Sequence, residues 1–217
     1  MTYRVQLKSG LVVASTRPED AAALAALQVL CFPTLAPEQL FREEHYRKHL
    51  ELFPEGQFVA LDRGRVVGGT TTCRLHFDFT HVGHTFEDVI QGGWLTSHEP
   101  DGDWLYGADI SVDPGYRGRG LARAMYAARQ DTVRRLGLRG QVSAGMMRGY
   151  GAVKDRMSAE EYYRRLREGS VNDPTLSAQM KIGFELRGLL PGYVQDPVCA
   201  GYAVLIVLDA SREVASE

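Results

Sequence analysis

The chain has 217 residues, 44% of them hydrophobic and 24% charged, which is the composition of an ordinary globular protein with room for a sizeable core. Its formal net charge of −2 provides no overall field that would attract nucleic acid or an acidic membrane, so we expect neither as a partner. Because the sequence has neither a signal-peptide pattern nor a run of ~18 apolar residues, it predicts a cytoplasmic protein.

The first half of the chain predicts a strand, two helices and a hairpin. Residues 11–15 are apolar and β-prone, and the following Thr16-Arg-Pro-Glu-Asp is typical of a helix start with Thr16 as the N-cap. This helix extends to Cys31 and ends at Pro33, and a second one follows over 38–52. The predicted hairpin consists of strands 57–61 and 66–77, joined by a tight turn.

The second half begins with a stretch, 78–103, that is rich in His, Gly and acidic residues. We interpret it as a long insertion with a short helix near 86–90, since loops of that length are usually functional or disordered. The remaining predicted elements are strand 104–112, helix 121–136 with Gly137 as its C-terminal cap, strand 141–147, a helix capped by Ser158, helix 176–182, and strands 184–190 and 203–208. Early hairpins followed by alternating strands and helices indicate a mixed α/β sheet in one domain spanning 1–217.

The segment 112–122, VDPGYRGRGLA, is the most informative part of the sequence. A strand ends there, Pro114 prevents its continuation, and a helix begins directly after a run of glycines. Backbone N–H groups in such a turn, together with those of the first helical turn, form a site for an anion. Positive charge comes from Arg117, Arg119 and Arg123. The pattern therefore predicts a phosphate ligand and favours a diphosphate.

Two common phosphate loops do not match the segment. A Walker loop requires Lys-Ser or Lys-Thr after the glycines, and a dinucleotide fingerprint requires a third glycine or alanine where Arg123 stands. Instead, Arg117-x-x-Gly120-x-Ala122 after a strand resembles motif A of the GNAT superfamily of N-acyltransferases, which binds the diphosphate of coenzyme A. The resemblance implies a cofactor site of Ile110, Ser111, Val112, Arg117, Gly118, Arg119, Gly120, Leu121 and Ala122, in which backbone groups of Ile110 and Val112 pair with the pantetheine and the acetyl carbonyl.

Features outside the motif support this resemblance. The order of predicted elements is similar to that of GNAT proteins over nearly the whole chain, and Gly183-Phe184 resembles the family's Gly-Phe pair. The stretch 176–205 also looks like the GNAT modules associated with carbon–nitrogen hydrolases. The resemblance implies a mixed α/β fold with a mostly antiparallel sheet of about seven strands and helices on both faces.

The catalytic residues are a separate question. Acyl transfer to an amine requires a neutral nucleophile, a polarised carbonyl and a proton for the leaving thiolate. Tyr106 and Asp109 are the polar candidates on the strand before the motif, although alternation along a regular strand would place them on opposite faces, and a structural role suits each as well. The family's usual tyrosine, four residues before the Gly-Phe pair, is replaced by Gln179. Alternative acids are Tyr150, Tyr193 and Tyr202.

Metal and thiol chemistry have weaker support in the sequence. Cys31, Cys73 and Cys199 are odd in number and widely spaced, which argues against a disulfide framework or a zinc site. Four histidines lie near acidic residues without the spacing of a metal motif, and we interpret them as part of a solvated loop: His76, His81, His84 and His98. We therefore expect no metal.

Three hypotheses follow. The first is an enzyme that transfers an acetyl or other acyl group from acyl-CoA to a primary amine, on a small molecule or a peptide, by direct attack in a ternary complex. The second is a non-catalytic acyl-CoA sensor, and the third is a general phosphate- or nucleic-acid-binding module. The insertion 78–103 is interpreted as a wall or lid of the acceptor site, a homodimer contact, or a passive surface feature.

Overall fold

Eight strands form one sheet in the order β1-β2-β3-β4-β5-β6-β8-β7 in the computed structural model, which describes residues 3–215. All neighbouring strands run antiparallel except β5 and β6, which are parallel. The strands are β1 (Arg4–Gln6), β2 (Val12–Ser15), β3 (Phe58–Asp62), β4 (Arg65–Leu75), β5 (Trp104–Val112), β6 (Gly140–Met146), β7 (Glu185–Leu190) and β8 (Ala203–Asp209). The prediction of a mixed, mostly antiparallel sheet is confirmed. The strand beyond the predicted seven is β1, whose three residues are all exposed and so carry no apolar alternation.

Helices cover both faces of the sheet, as predicted. They are α1 (Ala21–Cys31), α2 (Glu43–Leu52), α3 (Phe86–Ile90), α4 (Leu121–Arg135), α5 (Ala159–Arg167) and α6 (Leu176–Ile182). Two adjacent glycines of β4 show the arrangement, since a Cβ on Gly68 would point at Met125 of α4 and one on Gly69 at Leu24 of α1. Neighbouring strand residues point to opposite faces, so α1 and α4 lie on opposite sides.

Most predicted element ends agree with the structure, but the starts of α1 and α2 differ. α2 begins at Glu43 and not at residue 38, because Pro37–Gln39 form a separate 3₁₀ turn. Thr16 is not a helix cap, because its backbone N–H donates to the carbonyl of Gln57 at 2.9 Å and continues the sheet. A 3₁₀ turn over Pro18–Asp20 precedes the helix instead, closed by the backbone N–H of Arg17 donating to Asp20 Oδ2 at 2.8 Å. At the C-terminus of α4, Gly137 has φ +66 and caps the helix as predicted.

The strands β5 and β6 pair over a short stretch and then separate, and their separation creates a gap in the sheet. Residues Leu105–Gly107 pair with Gln141–Ser143, yet β5 continues to Val112 and β6 to Met146. A wedge-shaped gap therefore opens in the middle of the sheet, at the carboxyl ends of the two parallel strands. Within residues 3–215, no helix is both long and apolar enough to cross a membrane.

Candidate active site

A cavity of about 130 Å³ lies in the gap between β5 and β6. Its edges are residues 107–110 of β5 and 143–146 of β6, and it is bordered by Gln28 of α1, by Phe32 directly after α1, and by Gln179 of α6. Because α1 and α6 lie on different faces, the cavity passes through the plane of the sheet. An extended ligand in it could reach backbone groups on the strand edges and side chains from both helical layers.

The backbone of β5 presents hydrogen-bonding groups to this gap. The N–H of Asp113 donates to the carbonyl of Val67 on the β4 side at 2.9 Å. The direction of the backbone N–H and C=O groups alternates along a strand. Those of Ser111 therefore also point toward β4, whereas those of Ile110 and Val112 point into the gap. The carbonyl of Val112 accepts weak contacts from Cys31 Sγ at 3.3 Å and Arg117 Nε at 3.4 Å. Two of the three predicted strand residues thus have backbone groups directed at the gap.

The loop after β5 combines a fixed turn with two open glycines. Its turn is fixed by Asp113, which accepts from the N–H of Gly115 at 2.9 Å and from Arg65 Nη2 at 3.1 Å. Gly118 and Gly120 have φ of +74 and +78, and a Cβ on either would meet nothing within 4 Å. Left-handed backbone with open space above it is the environment in which glycine admits another molecule.

The first turn of α4 continues this surface. The initial N–H groups of a helix have no partner within the helix and carry its positive dipole end. A second cavity, of about 450 Å³, borders the loop and extends to Lys8 and Ser9 near the N-terminus. Arg119 lies against it, with its guanidinium 4.8 Å from the ring centre of Tyr116. Leu121 instead packs its side chain into the core, and Ala122 is half-buried beside it.

A bulge in β5 corrects the expected faces of Tyr106 and Asp109. On β4, Cys73 is opposite Tyr106 and Thr71 is opposite Asp109, so Ala108 is an extra residue in β5. Cys73 and Thr71 are two residues apart and share a face, and therefore Tyr106 and Asp109 also share one. Strict alternation predicted opposite faces because a bulge leaves no mark in the sequence pattern.

Arg129 of α4 holds the bulge from the other face of the sheet. Its side chain is 1% exposed and donates to the carbonyl of Asp109 and to Thr70 Oγ1. A Cβ on Gly107 would collide with this guanidinium. Glycine at position 107 therefore lets a buried cation reach the strand and fix the backbone from which the Asp109 side chain projects.

The carboxyl group of Asp109 faces the cavity in a poorly solvated environment. Burial raises its pKa from 3.8 to about 6, against the opposing influence of the neighbouring Gln28 amide and the Arg129 charge. Among residues 3–215, no hydrogen bond of good geometry reaches Oδ2 of Asp109, Gln28 Nε2, Tyr46 OH or Ser111 Oγ, although these four buried groups lie beside one another and interact. Unsatisfied buried polar groups of this kind are satisfied by a ligand or by ordered water.

Tyr106, a candidate catalytic residue, does not line the cavity. Its side chain is fully buried, and its hydroxyl lies 2.6 Å from His84 Nε2 and 3.0 Å from the hydroxyl of Tyr193. Tyr193 is the member of this group that lines the cavity. Of the other candidate acids, Tyr150 and Tyr202 pack against each other, with ring centres 5.4 Å apart. Gln179 lines the cavity and donates to the hydroxyl of Tyr126 at 2.9 Å.

The histidines of the 78–103 region divide into two kinds. His76 and His81 are exposed, as the interpretation of a solvated loop required. That interpretation is wrong for His84, which binds Tyr106, and for His98, whose ring stacks on Phe53 and whose Nδ1 accepts from the backbone of Arg74 at 3.0 Å. Among residues 3–215, no group of three or more His, Cys, Asp or Glu side chains is arranged to hold a metal ion.

Comparison of the chain with known proteins identifies its family. The model described as the acetyltransferase (GNAT) family matches residues 21–166. An uncharacterized N-acetyltransferase, YkwB of Bacillus subtilis (strain 168), is 30% identical over 90% of this chain and 87% of its own length. The chain therefore belongs to the GNAT acetyltransferase family, as the motif in residues 112–122 indicated.

Two other relatives differ in length or in title. The probable hydrolase YhcX of the same organism is 34% identical over 90% of this chain, which spans 38% of that longer protein. A solved structure described as the GphF GNAT-like decarboxylase in complex with isobutyryl-CoA superposes with a TM-score of 0.75, at 24% identity, over 91% of this chain and 98% of that one. At that identity the superposition shows a shared fold.

Proposed function

We propose that this chain is an acyl-CoA-dependent N-acyltransferase that moves an acetyl or other acyl group to a primary amine. The observation that carries the proposal is the gap between β5 and β6, which is lined by Asp109 and opens at the end of β5 that leads into the glycine-rich loop. Loop residues 117–122 bind the diphosphate through their backbone, and the backbone of Ile110 and Val112 pairs with the pantetheine arm. The thioester then lies near the closed end of the gap.

Asp109 is suited to prepare the amine for attack. A primary amine is mostly protonated at neutral pH and attacks a thioester only after losing a proton. With its pKa raised to about 6, Asp109 is ionised at neutral pH but is a stronger base than an exposed aspartate. It takes one proton from the ammonium group and releases it to solvent, and the neutral amine attacks the thioester carbonyl directly.

The experiment is a measurement of thiol release from acetyl-CoA, and from a longer acyl-CoA, in the presence of a panel of small-molecule and peptide amines. We expect amine-dependent release by the wild-type protein and a dissociation constant for CoA measurable by calorimetry. Failure to bind CoA would refute the proposed function altogether.

An acyl-CoA sensor is the second candidate, and Gln179 favours it. This glutamine stands where the family's usual catalytic tyrosine is found, and it is engaged with Tyr126. A sensor would bind CoA with the same affinity but release no thiol with any amine. The same two measurements therefore separate the two candidates.

A further inference from the structure

Three side chains from distant segments form a hydrogen-bonded chain that leads away from the cavity. Tyr193, in the connection between β7 and β8, lines the cavity and lies 3.0 Å from Tyr106, hydroxyl to hydroxyl. The Tyr106 hydroxyl lies 2.6 Å from His84 Nε2. Both tyrosines are buried, whereas His84 is partly exposed. We call these three residues the proton chain.

The direction of the proton chain is set by the other nitrogen of His84. Nδ1 lies 2.8 Å from the carbonyl oxygen of Val82, which can only accept, so Nδ1 carries the hydrogen. In the neutral imidazole Nε2 is then bare and accepts from Tyr106. The oxygen of Tyr106 in turn accepts the hydrogen of Tyr193, and every hydroxyl hydrogen points away from the cavity.

The surroundings favour this neutral state of His84. Burial lowers its pKa below 6.5, and the Val82 carbonyl and the carboxylate of Asp88 on α3 act in the opposite sense. The other titratable groups that face the chain are Tyr106 and Tyr193 themselves and Cys73 of β4. Burial raises the pKa of both tyrosines, so each hydroxyl remains protonated at neutral pH. Asp88 would stabilise an imidazolium once it formed.

We propose that the proton chain takes a proton from the attacking amine and returns it to the leaving thiolate, an inference that rests on the proposed acyl transfer. After attack, an N–H bond of the tetrahedral adduct breaks and its proton moves to the oxygen of Tyr193. The hydrogen of Tyr193 passes to Tyr106, and the hydrogen of Tyr106 passes to His84 Nε2, which becomes a cation. When the C–S bond breaks, the three transfers reverse and the sulfur receives the proton.

This arrangement divides the proton chemistry between two groups. Asp109 removes the first proton of the ammonium group, which is released to solvent, and the proton chain handles the second, which ends on the thiol. Tyr193 is the residue that meets the substrate, and Tyr106 and His84 are positioning residues that act through it. The scheme assigns the general acid that Gln179 cannot supply, because an amide side chain does not titrate.

The kinetic test interrupts the proton chain away from the cavity. Tyr106→Phe leaves Tyr193 in place but removes its link to His84, and we expect kcat to fall roughly 100-fold, the usual size of a general acid–base contribution. His84→Gln should have a similar effect, and it provides an independent test of the proton chain if Tyr106→Phe folds poorly. Affinity for CoA should stay within about 2-fold of wild type. Tyr163→Phe on α5 and the exposed His81→Gln are matched controls that should retain wild-type kcat.

The pH profile gives a readout that a purely structural role would not change. Wild-type log(kcat/KM) should fall at low pH with a limiting slope of two, since both Asp109 and His84 must be unprotonated, and the slope should become one in Tyr106→Phe. A Tyr106→Phe variant with wild-type kcat and slope would refute the proton chain while leaving the acyl transfer intact. A wild-type protein that acylates no amine would instead refute the proposed function.

The direction of the proton chain can be tested without turnover. Nitrogen-15 NMR of the His84 ring at neutral pH should show hydrogen on Nδ1 and a bare Nε2, with the Nε2 resonance shifted in Tyr106→Phe. Hydrogen on Nε2 of the neutral ring would reverse the polarity of the chain, and would overturn the proposal even in an active enzyme.

Discussion

Two connections flank β5, each lining a different one of the two cavities, and they are built in opposite ways. The loop after β5 contributes backbone, with Gly118 and Gly120 in left-handed conformations and open space above them. The connection before β5 contributes side chains, with Phe86 on the cavity wall and His84 in the proton chain. A site made of backbone depends on local conformation, whereas one made of side chains depends on how a whole segment is packed.

The connection before β5 is itself divided. Residues 78–83 are largely exposed, but from α3 onwards Val89, Ile90 and Leu95 are buried in the core. The interpretation of residues 78–103 as a passive surface insertion therefore fails for the second part, because removing it would open the core. As a consequence, single substitutions test its role better than shortening it would.

The largest expected effect concerns the backbone-built loop. Gly120→Val places a β-branched side chain in the open space above the loop and should abolish measurable CoA binding by calorimetry, at least a 100-fold loss. The strain of a positive φ alone costs roughly 1–2 kcal/mol. Gly169→Val controls for that strain, since Gly169 has φ +74 and equally open surroundings at the end of α5. Unchanged CoA affinity in Gly120→Val would refute the proposal that the diphosphate of CoA binds against the backbone of this loop.

A side-chain change in the cavity should separate chemistry from binding. Asp109→Asn keeps the shape but removes the base, and we expect kcat to fall roughly 100-fold with CoA affinity unchanged. In the wild type, activity should decline as the pH drops through about 6, the pKa of Asp109. Equal losses in kcat and CoA affinity would indicate that Asp109 supports the binding of CoA along β5 and does not act on the amine.

The same variant should also be more stable than wild type at neutral pH. Because the folded-state pKa of Asp109 is raised from 3.8 to about 6, the folded protein binds the extra proton between these values and ionisation above them costs stability. We expect Asp109→Asn to increase the free energy of unfolding at pH 7 by about 1–3 kcal/mol, at about 1.4 kcal/mol per pKa unit. This gain should shrink as the pH falls from about 6 towards 3.8, the folded and unfolded pKa values. A loss of stability at pH 7 would mean that the ionised carboxylate stabilises the fold.

A smaller effect is expected from the wall contributed by the connection before β5. Phe86 packs on Tyr193, with ring centres 5.9 Å apart, and lines the cavity. Phe86→Leu should raise KM for the amine several-fold and change the Kd for CoA by less than about 2-fold, because it alters the pocket and not the loop. Phe79→Leu, in the exposed part of the same connection, is the matched control. A larger change in CoA affinity than in amine KM would place this wall on the cofactor side.

The sequence predicted the backbone-built part of the site far better than the side-chain part. Proline and glycine spacing defines the loop after β5, and the bounds predicted for α3, α6 and β5 match the structure. The bulge at Ala108 could not be predicted, because it depends on pairing with β4 and on the buried Arg129. Nor could the proton chain, since His84, Tyr106 and Tyr193 meet only through tertiary packing.

The smallest expected effect tests direct transfer against a covalent intermediate. Cys31 is the cysteine in contact with β5, through the carbonyl of Val112, and burial raises its pKa to about 11. Burial likewise raises the pKa of Cys73 to about 12 and of Cys199 to about 11, so all three are thiols and poor nucleophiles at neutral pH. Cys31→Ala should therefore change kcat by less than about 2-fold, and initial-rate plots against both substrates should intersect. Parallel lines, or an acyl group found on a Cys31 peptide that is lost together with activity in Cys31→Ala, would replace direct attack by a two-step transfer through this residue.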